Sequence, residues 1–187
     1  MHRPQSPDRP ITRFIVTPTQ RDLLRTWWFS AALVPACVYF LVVDYGTPGL
    51  AGLPWFVVHS TNLLPHEAGH FFFRFFGEWM MYAGGSLMQL IFPGFFIAYC
   101  LTNGLRPWLQ CSLGWLGQSF IDVSVYAADA KARSLPLIGG IGRENHDWWN
   151  MLIMTGTLHH TELIAGLLVA AGILVWVVML AVPRWMV

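Results

Sequence analysis

PWFVVHSTNLLPHEAGHFFFRFF, residues 54–76, is apolar along most of its length but carries His59, Asn62, Pro65, His66, Glu67 and His70. As a helix rising ~1.5 Å per residue it would reach about 35 Å, enough to cross a hydrocarbon core of ~30 Å. Polar groups and a proline at membrane depth persist only where neighbouring helices or water satisfy them. The stretch therefore predicts a helix enclosed by other helices, not a lone anchor.

The rest of the chain agrees with a lipid solvent. Of its 187 residues 55% are apolar and only 11% charged, against about 25% charged in an ordinary soluble domain. A net charge of +1 gives no reason to expect nucleic acid as a partner. Stretches near 27–43, 79–101, 108–128 and 163–182 could also supply the ~20 mainly apolar residues of a span. The fold expected is an all-α membrane protein, a bundle of about five transmembrane helices with a cytoplasmic loop and a short interfacial helix. Trp27, Trp28, Trp55, Trp79, Trp108 and Trp185 stand near the ends of apolar runs, where amphipathic rings settle at the headgroups.

Four segments follow: a basic cytoplasmic N-terminal segment (1–26), a four-span core (27–130), a cytoplasmic loop (131–160) and a last span (161–187). Arg3, Arg9, Arg13, Arg21 and Arg25 precede the first span, which reads as an uncleaved anchor. Arg74, Lys131, Arg133 and Arg143 share their side if the spans alternate, so the N-terminus should be cytoplasmic. The loop holds Gly139, Gly140 and Gly142 ahead of Asn145-His146-Asp147-Trp148-Trp149, which reads as a turn and a short helix capped by Asn145 or Asp147. Cys37, Cys100 and Cys111 form no CxxC pair and suggest neither a disulfide framework nor a thiolate metal site.

The chemistry resides in His66-Glu67-Ala68-Gly69-His70. Residues i and i+4 of a helix lie one above the other, so both imidazoles can reach one Zn2+ ion while Glu67 takes a proton from its bound water. Zinc lowers the pKa of that water to ~7. At this composition an accidental HExxH has a probability of about half a per cent, and ionisable groups at membrane depth mark functional sites by default.

A catalytic zinc takes three protein ligands and keeps one position for water. Asp122 and Asp129, seven residues apart in the fourth apolar stretch and on one face with Gln118, are the intramembrane carboxylates available as the third ligand. His146 or Asp147 is a further possibility, from a loop starting on the same side; the ordinary reading there is a helix N-cap, for which Asn and Asp are preferred. His59, seven residues before His66, could be another ligand, a polariser of a substrate carbonyl or a hydrogen-bonded core histidine.

These residues resemble the site-2 protease family of intramembrane zinc metalloproteases. HExxH within an apolar span is the strongest match, and Ala83-Gly84-Gly85-Ser86-Leu87-Met88-Gln89 looks like the family's glycine-proline element, with Ser86 for proline and Gln89 for asparagine. The resemblance implies that Gln89 holds the substrate strand or an oxyanion. It also implies that Ala128-Asp129-Ala130 stands for the leucine-aspartate-glycine whose aspartate completes the zinc site, without the family's upstream proline. The expected function is metal-activated hydrolysis of a peptide bond in or near a substrate transmembrane helix, with Glu67 and Gln89 as catalytic residues. Expected partners are the lipid bilayer and a transmembrane or membrane-proximal peptide. The alternatives are a non-hydrolytic metal- or haem-binding subunit, or an inactive protease-like scaffold, of a larger membrane complex.

Overall fold

The computed structural model describes residues 20–137 and 142–185, with side chains from residue 27 onward. Arg3, Arg9 and Arg13 and the turn glycines Gly139 and Gly140 lie outside these. The described residues are helical without strands: α1 (Gln20–Val42), α2 (Leu53–Phe73), α3 (Glu78–Thr102), α4 (Arg106–Ala128), the short α5 (Asp147–Met154) and α6 (Thr161–Ala181). Helices thus occupy each of the five apolar stretches. Two of them, Glu78–Thr102 and the helical run Leu158–Arg184, are long and apolar enough to cross a membrane.

Local signals place the helix ends. Pro54 and Pro107 sit in the first turns of α2 and α4, where a missing N–H leaves no bond unmade. Gly77, at φ 102°, separates α2 from α3, and Gly104, at φ 66°, turns the chain from α3 into α4. Pro65 lies inside α2 directly before His66; lacking an N–H, it releases the carbonyl one turn earlier from its helical bond.

α4 is the central helix, packed against α6 on one side and α3 on the other, while α2 pairs with α3 and α1 covers α4 and α6. The buried apolar core joins Trp55, Cys100, Leu109, Leu113, Ile121, Trp176, Met179 and Val182. On the outside, large apolar side chains such as Phe56, Leu64, Phe72, Phe95, Leu167 and Leu174 are exposed. Close helix approach depends on small residues, as is common in membrane bundles. A Cβ on Gly69 of α2 would run into the Gly84 carbonyl of α3.

One expectation is corrected at α5. Its cap is neither Asn145 nor Asp147 but His146, whose Nδ1 accepts from the Trp149 N–H at 3.2 Å. A neutral imidazole offers one lone pair, and here it serves the orphan N–H of the first turn as a shorter polar side chain would. Asp147 becomes the first residue of the helix, and its carboxylate is left for other contacts.

Candidate metal centre

His66 and His70 stack along α2 with ring centroids 4.9 Å apart. Both rings press onto α3 where that helix has no side chain. A Cβ on Gly85 would lie 2.5 Å from His66 Nε2 and 2.7 Å from His70 Nε2, closer than real carbons approach, so glycine there makes room for the two nitrogens.

Asp147 arrives from the other end of the fold. α5 docks on α3 and α4, with Trp148 Nε1 donating to Ser86 Oγ at 3.1 Å and the Arg133 guanidinium 4.5 Å above the Trp149 ring. Tyr126 of α4 holds the junction: its hydroxyl accepts from the Asp147 N–H at 3.1 Å and lies 3.3 Å from Asp147 Oδ2. This leaves Asp147 Oδ2 at 3.1 Å from His66 Nε2 and 3.3 Å from His70 Nε2.

The far side of each ring shows what these atoms are. His70 Nδ1 is 2.8 Å from the Met81 carbonyl, which can only accept, so Nδ1 carries the hydrogen. For His66 the argument runs through Gln89. Gln89 Nε2 donates to the Asp122 carboxylate at 2.8 Å, which turns Gln89 Oε1 toward His66 Nδ1 at 3.3 Å and makes that nitrogen the donor. In their neutral form both rings then aim an Nε2 lone pair at a carboxylate oxygen, whereas a protonated ring donates to it. Metal-ligating histidines commonly donate their other N–H to a carbonyl or carboxylate in this way.

Three acceptor atoms facing one another repel unless a proton or a cation lies among them. Ligand atoms in tetrahedral zinc sites stand 2.0–2.1 Å from the ion, hence about 3.3 Å from one another. The two imidazole–carboxylate edges have that length, and His66, His70 and Asp147 all have ligand atoms within 4.8 Å of each other. The donor set, two imidazoles and one carboxylate, fits a zinc that keeps a fourth position for water. Such a set does not by itself select zinc over other divalent ions.

Neither aspartate favoured by the sequence joins the pair of histidines. Asp122, 4% exposed, is taken up by His59 Nδ1 at 2.8 Å, Asn62 Nδ2 at 3.0 Å and Gln89 Nε2 at 2.8 Å. Asp129 terminates α4, where Oδ1 accepts from the Ser134 N–H and hydroxyl and Oδ2 from the Leu135 N–H. The geometry brings Asp147 to the imidazoles instead, because α5 folds inward while Asp129 sits where α4 ends. Gln89 is 5% exposed with both ends of its amide engaged, by Asp122 and His66, and it stands within α3, which also contains Pro93. Beyond the substrate contact that the resemblance implies, the structure gives Gln89 a place between the two aspartate clusters, in the lining of the cavity they share.

His146 lies beside Asp129 with Nε2 3.4 Å from Oδ2, outside hydrogen-bond geometry, and Nε2 has no hydrogen-bond partner among the described residues. Burial pushes the His146 imidazole below its ordinary pKa against the pull of Asp129, in keeping with the neutral ring its capping role requires. Burial also works to raise the Asp147 carboxyl, but in the metal-free chain hydrogen bonds and positive charge from the His66 and His70 imidazoles, in their protonated form, outweigh it and hold that group below its ordinary value. Asp129 is likewise lowered, burial being outweighed by the bonds from Ser134 and Leu135.

A cavity of about 540 Å³ opens over the centre, lined by His59, His66, Glu67, His70, Tyr82, Asp147 and others, a size usual for ligand sites. Glu67 is exposed and lines it next to the His66 and His70 rings. The sequence marks Gly85 only as part of a glycine element, with no sign of the two imidazoles it accommodates, and gives no sign of Tyr126 or the Met81 carbonyl. For a backbone carbonyl no sequence signal exists, and Gly85 differs from Gly84 only through what packs on it. Comparison with protein-family profiles, curated proteins and solved structures finds no match to this chain.

Proposed function

We propose that the protein is an intramembrane zinc metallopeptidase in which His66, His70 and Asp147 hold the metal and Glu67 handles the proton. The observation that carries this reading is the convergence of two Nε2 lone pairs and one carboxylate oxygen, 3.1 and 3.3 Å apart, with the far side of each ring committed to a carbonyl oxygen. Zinc bound there supplies an acidified water and a polarised carbonyl. Glu67, on the helix between the two histidines and lining the same cavity, takes the proton from the water and returns it to the leaving amine. Tyr126 keeps the Asp147 carboxylate oriented, and Gln89 and the Met81 carbonyl keep the rings in the tautomer a metal requires.

The membrane setting belongs to the same proposal. α1, α2, α3, α4 and α6 have between 21 and 25 residues each, or at least ~30 Å of helix, and their outer faces carry the exposed apolar side chains. Five crossings with a cytoplasmic N-terminus put the α4–α6 connection, the last turn of α2 and so the metal centre on the cytoplasmic side. Substrates would then be transmembrane or membrane-proximal peptides, entering from that side in extended form. The haem alternative meets a steric objection: rings 4.9 Å apart with a carboxylate against both leave no space for a porphyrin held between them.

Metal analysis of the purified chain with a cleavage assay on transmembrane peptides tests the reading. Wild type should hold one zinc per chain, and Glu67→Gln should retain it while cleaving about 10²–10⁴-fold more slowly, the usual contribution of a general base. A wild-type chain that takes up no divalent metal would remove the proposal.

A further inference from the structure

Two turns before His66, the cavity contains a histidine that the zinc reading does not use. His59 Nδ1 lies 2.8 Å from Asp122 Oδ1. The other carboxylate oxygen accepts from Asn62 at 3.0 Å and Gln89 at 2.8 Å, and Asn62 is itself oriented by Trp115 Nε1, which donates to its Oδ1 at 2.7 Å. The Tyr45 ring meets the imidazole edge-on at 4.9 Å. The ring is thus locked in place with Nδ1–H on the carboxylate, so the neutral imidazole presents Nε2 as an acceptor. Among the described residues Nε2 has no hydrogen-bond partner, the side chain is 28% exposed, and it lines the same cavity as His66 and Glu67. A histidine serving only the core would have its second nitrogen bonded or enclosed.

We infer that His59 forms a substrate subsite that accepts a hydrogen bond from a hydroxyl- or amide-bearing side chain about three residues from the scissile bond. The register follows from the helix. Seven residues of α2 separate His59 from His66, about 10 Å along the axis, and an extended peptide covers that distance in about three residues at ~3.3 Å each. The inference rests on the proposed peptidase reading, since the metal defines where the scissile carbonyl lies. Asp122, which the sequence offers as a metal ligand, instead positions this acceptor, because its two oxygens serve His59, Asn62 and Gln89.

Peptide hydroxamates test the subsite without any cleavage, because the hydroxamate grips the metal and fixes the register. Two series, extending from the hydroxamate in either chain direction, carry serine in place of alanine at each of the first five residues. Their affinities are measured for the zinc-loaded full chain in detergent. Serine at the third residue of one series should bind about fivefold tighter than alanine, the size of one net hydrogen bond, and His59→Phe should bring that ratio to about one at unchanged zinc content. The scan uses the wild-type chain, so it decides even where His59→Phe does not fold. No gain at that residue, a gain that survives His59→Phe, or a preference for aspartate there overturns the subsite alone. Zinc-loaded protein that binds no hydroxamate of either series overturns the peptidase reading, and the subsite with it.

Discussion

Around Asp122 three donors meet one carboxylate: the His59 ring N–H and the amides of Asn62 and Gln89 all point inward, and each hydrogen has an acceptor. Around Asp147 the pattern is reversed when the rings are neutral. Two imidazoles there then direct their lone pairs at the carboxylate, because their hydrogens are committed to Met81 and Gln89 on the opposite side. Both clusters draw on α2 and join histidine to one buried aspartate. A polar group inside an apolar body must be paired, so the Asp122 carboxylate is satisfied from within its cluster, and the Asp147 cluster needs a proton or a cation. Residue type alone does not separate a structural polar network from a candidate metal site; what the other nitrogen of each ring is bonded to distinguishes them.

Substitutions can break that contrast. Asp147→Ala should have the largest effect, removing the anionic ligand and reducing zinc from one per chain to near none after dialysis, as read by metal analysis. Asp122→Ala in the same assay should leave zinc bound; loss of metal from both variants alike would erase the distinction between the clusters. Gln89→Leu takes away the carbonyl that sets the His66 tautomer without touching a ligand. A 10–100-fold loss of zinc affinity by competition with a chelator is expected, the usual effect of removing an outer-shell partner.

Stability sharpens the comparison from the other side. Asp122→Ala leaves two buried amide donors and the partly exposed His59 without their acceptor and should destabilise the chain by roughly 3 kcal/mol in thermal unfolding in detergent. The smallest effect concerns Asp129. Its carboxyl is lowered in the folded chain, burial being outweighed by the Ser134 and Leu135 bonds. The stability it contributes is therefore present above the ordinary aspartate value of about 3.9 and lost as pH falls through the lowered one. Asp129→Asn should flatten the acid limb of the stability profile below about pH 4 and leave the profile near pH 7 little changed in slope.

Much of this was legible in the sequence. Long apolar stretches bounded by Pro54, Gly77, Gly104 and Pro107 mark helices because lipid-like composition and backbone restrictions act locally. The spacing of His66 and His70 puts two rings on one helical face for the same reason. Asp147 was visible only as one possibility among several, since it stands 81 residues from His66 at a position where aspartate ordinarily caps a helix. That His146 takes over the capping, freeing Asp147, depends on which way one imidazole faces. The place of Gln89 likewise turned on its neighbours: the resemblance pointed to a substrate contact, and the structure adds the bonds of its amide to Asp122 and His66.

By itself, then, the sequence determined where helices form and that two imidazoles share a face, because both are consequences of residues within one or two turns of each other. Only the tertiary structure decided which carboxylate meets those imidazoles, which aspartate is already satisfied, and where an unpaired acceptor is left over. Those outcomes depend on hydrogen-bond directions between α2, α3, α4 and α5, and the direction of a side chain is set by whatever packs against it across the fold.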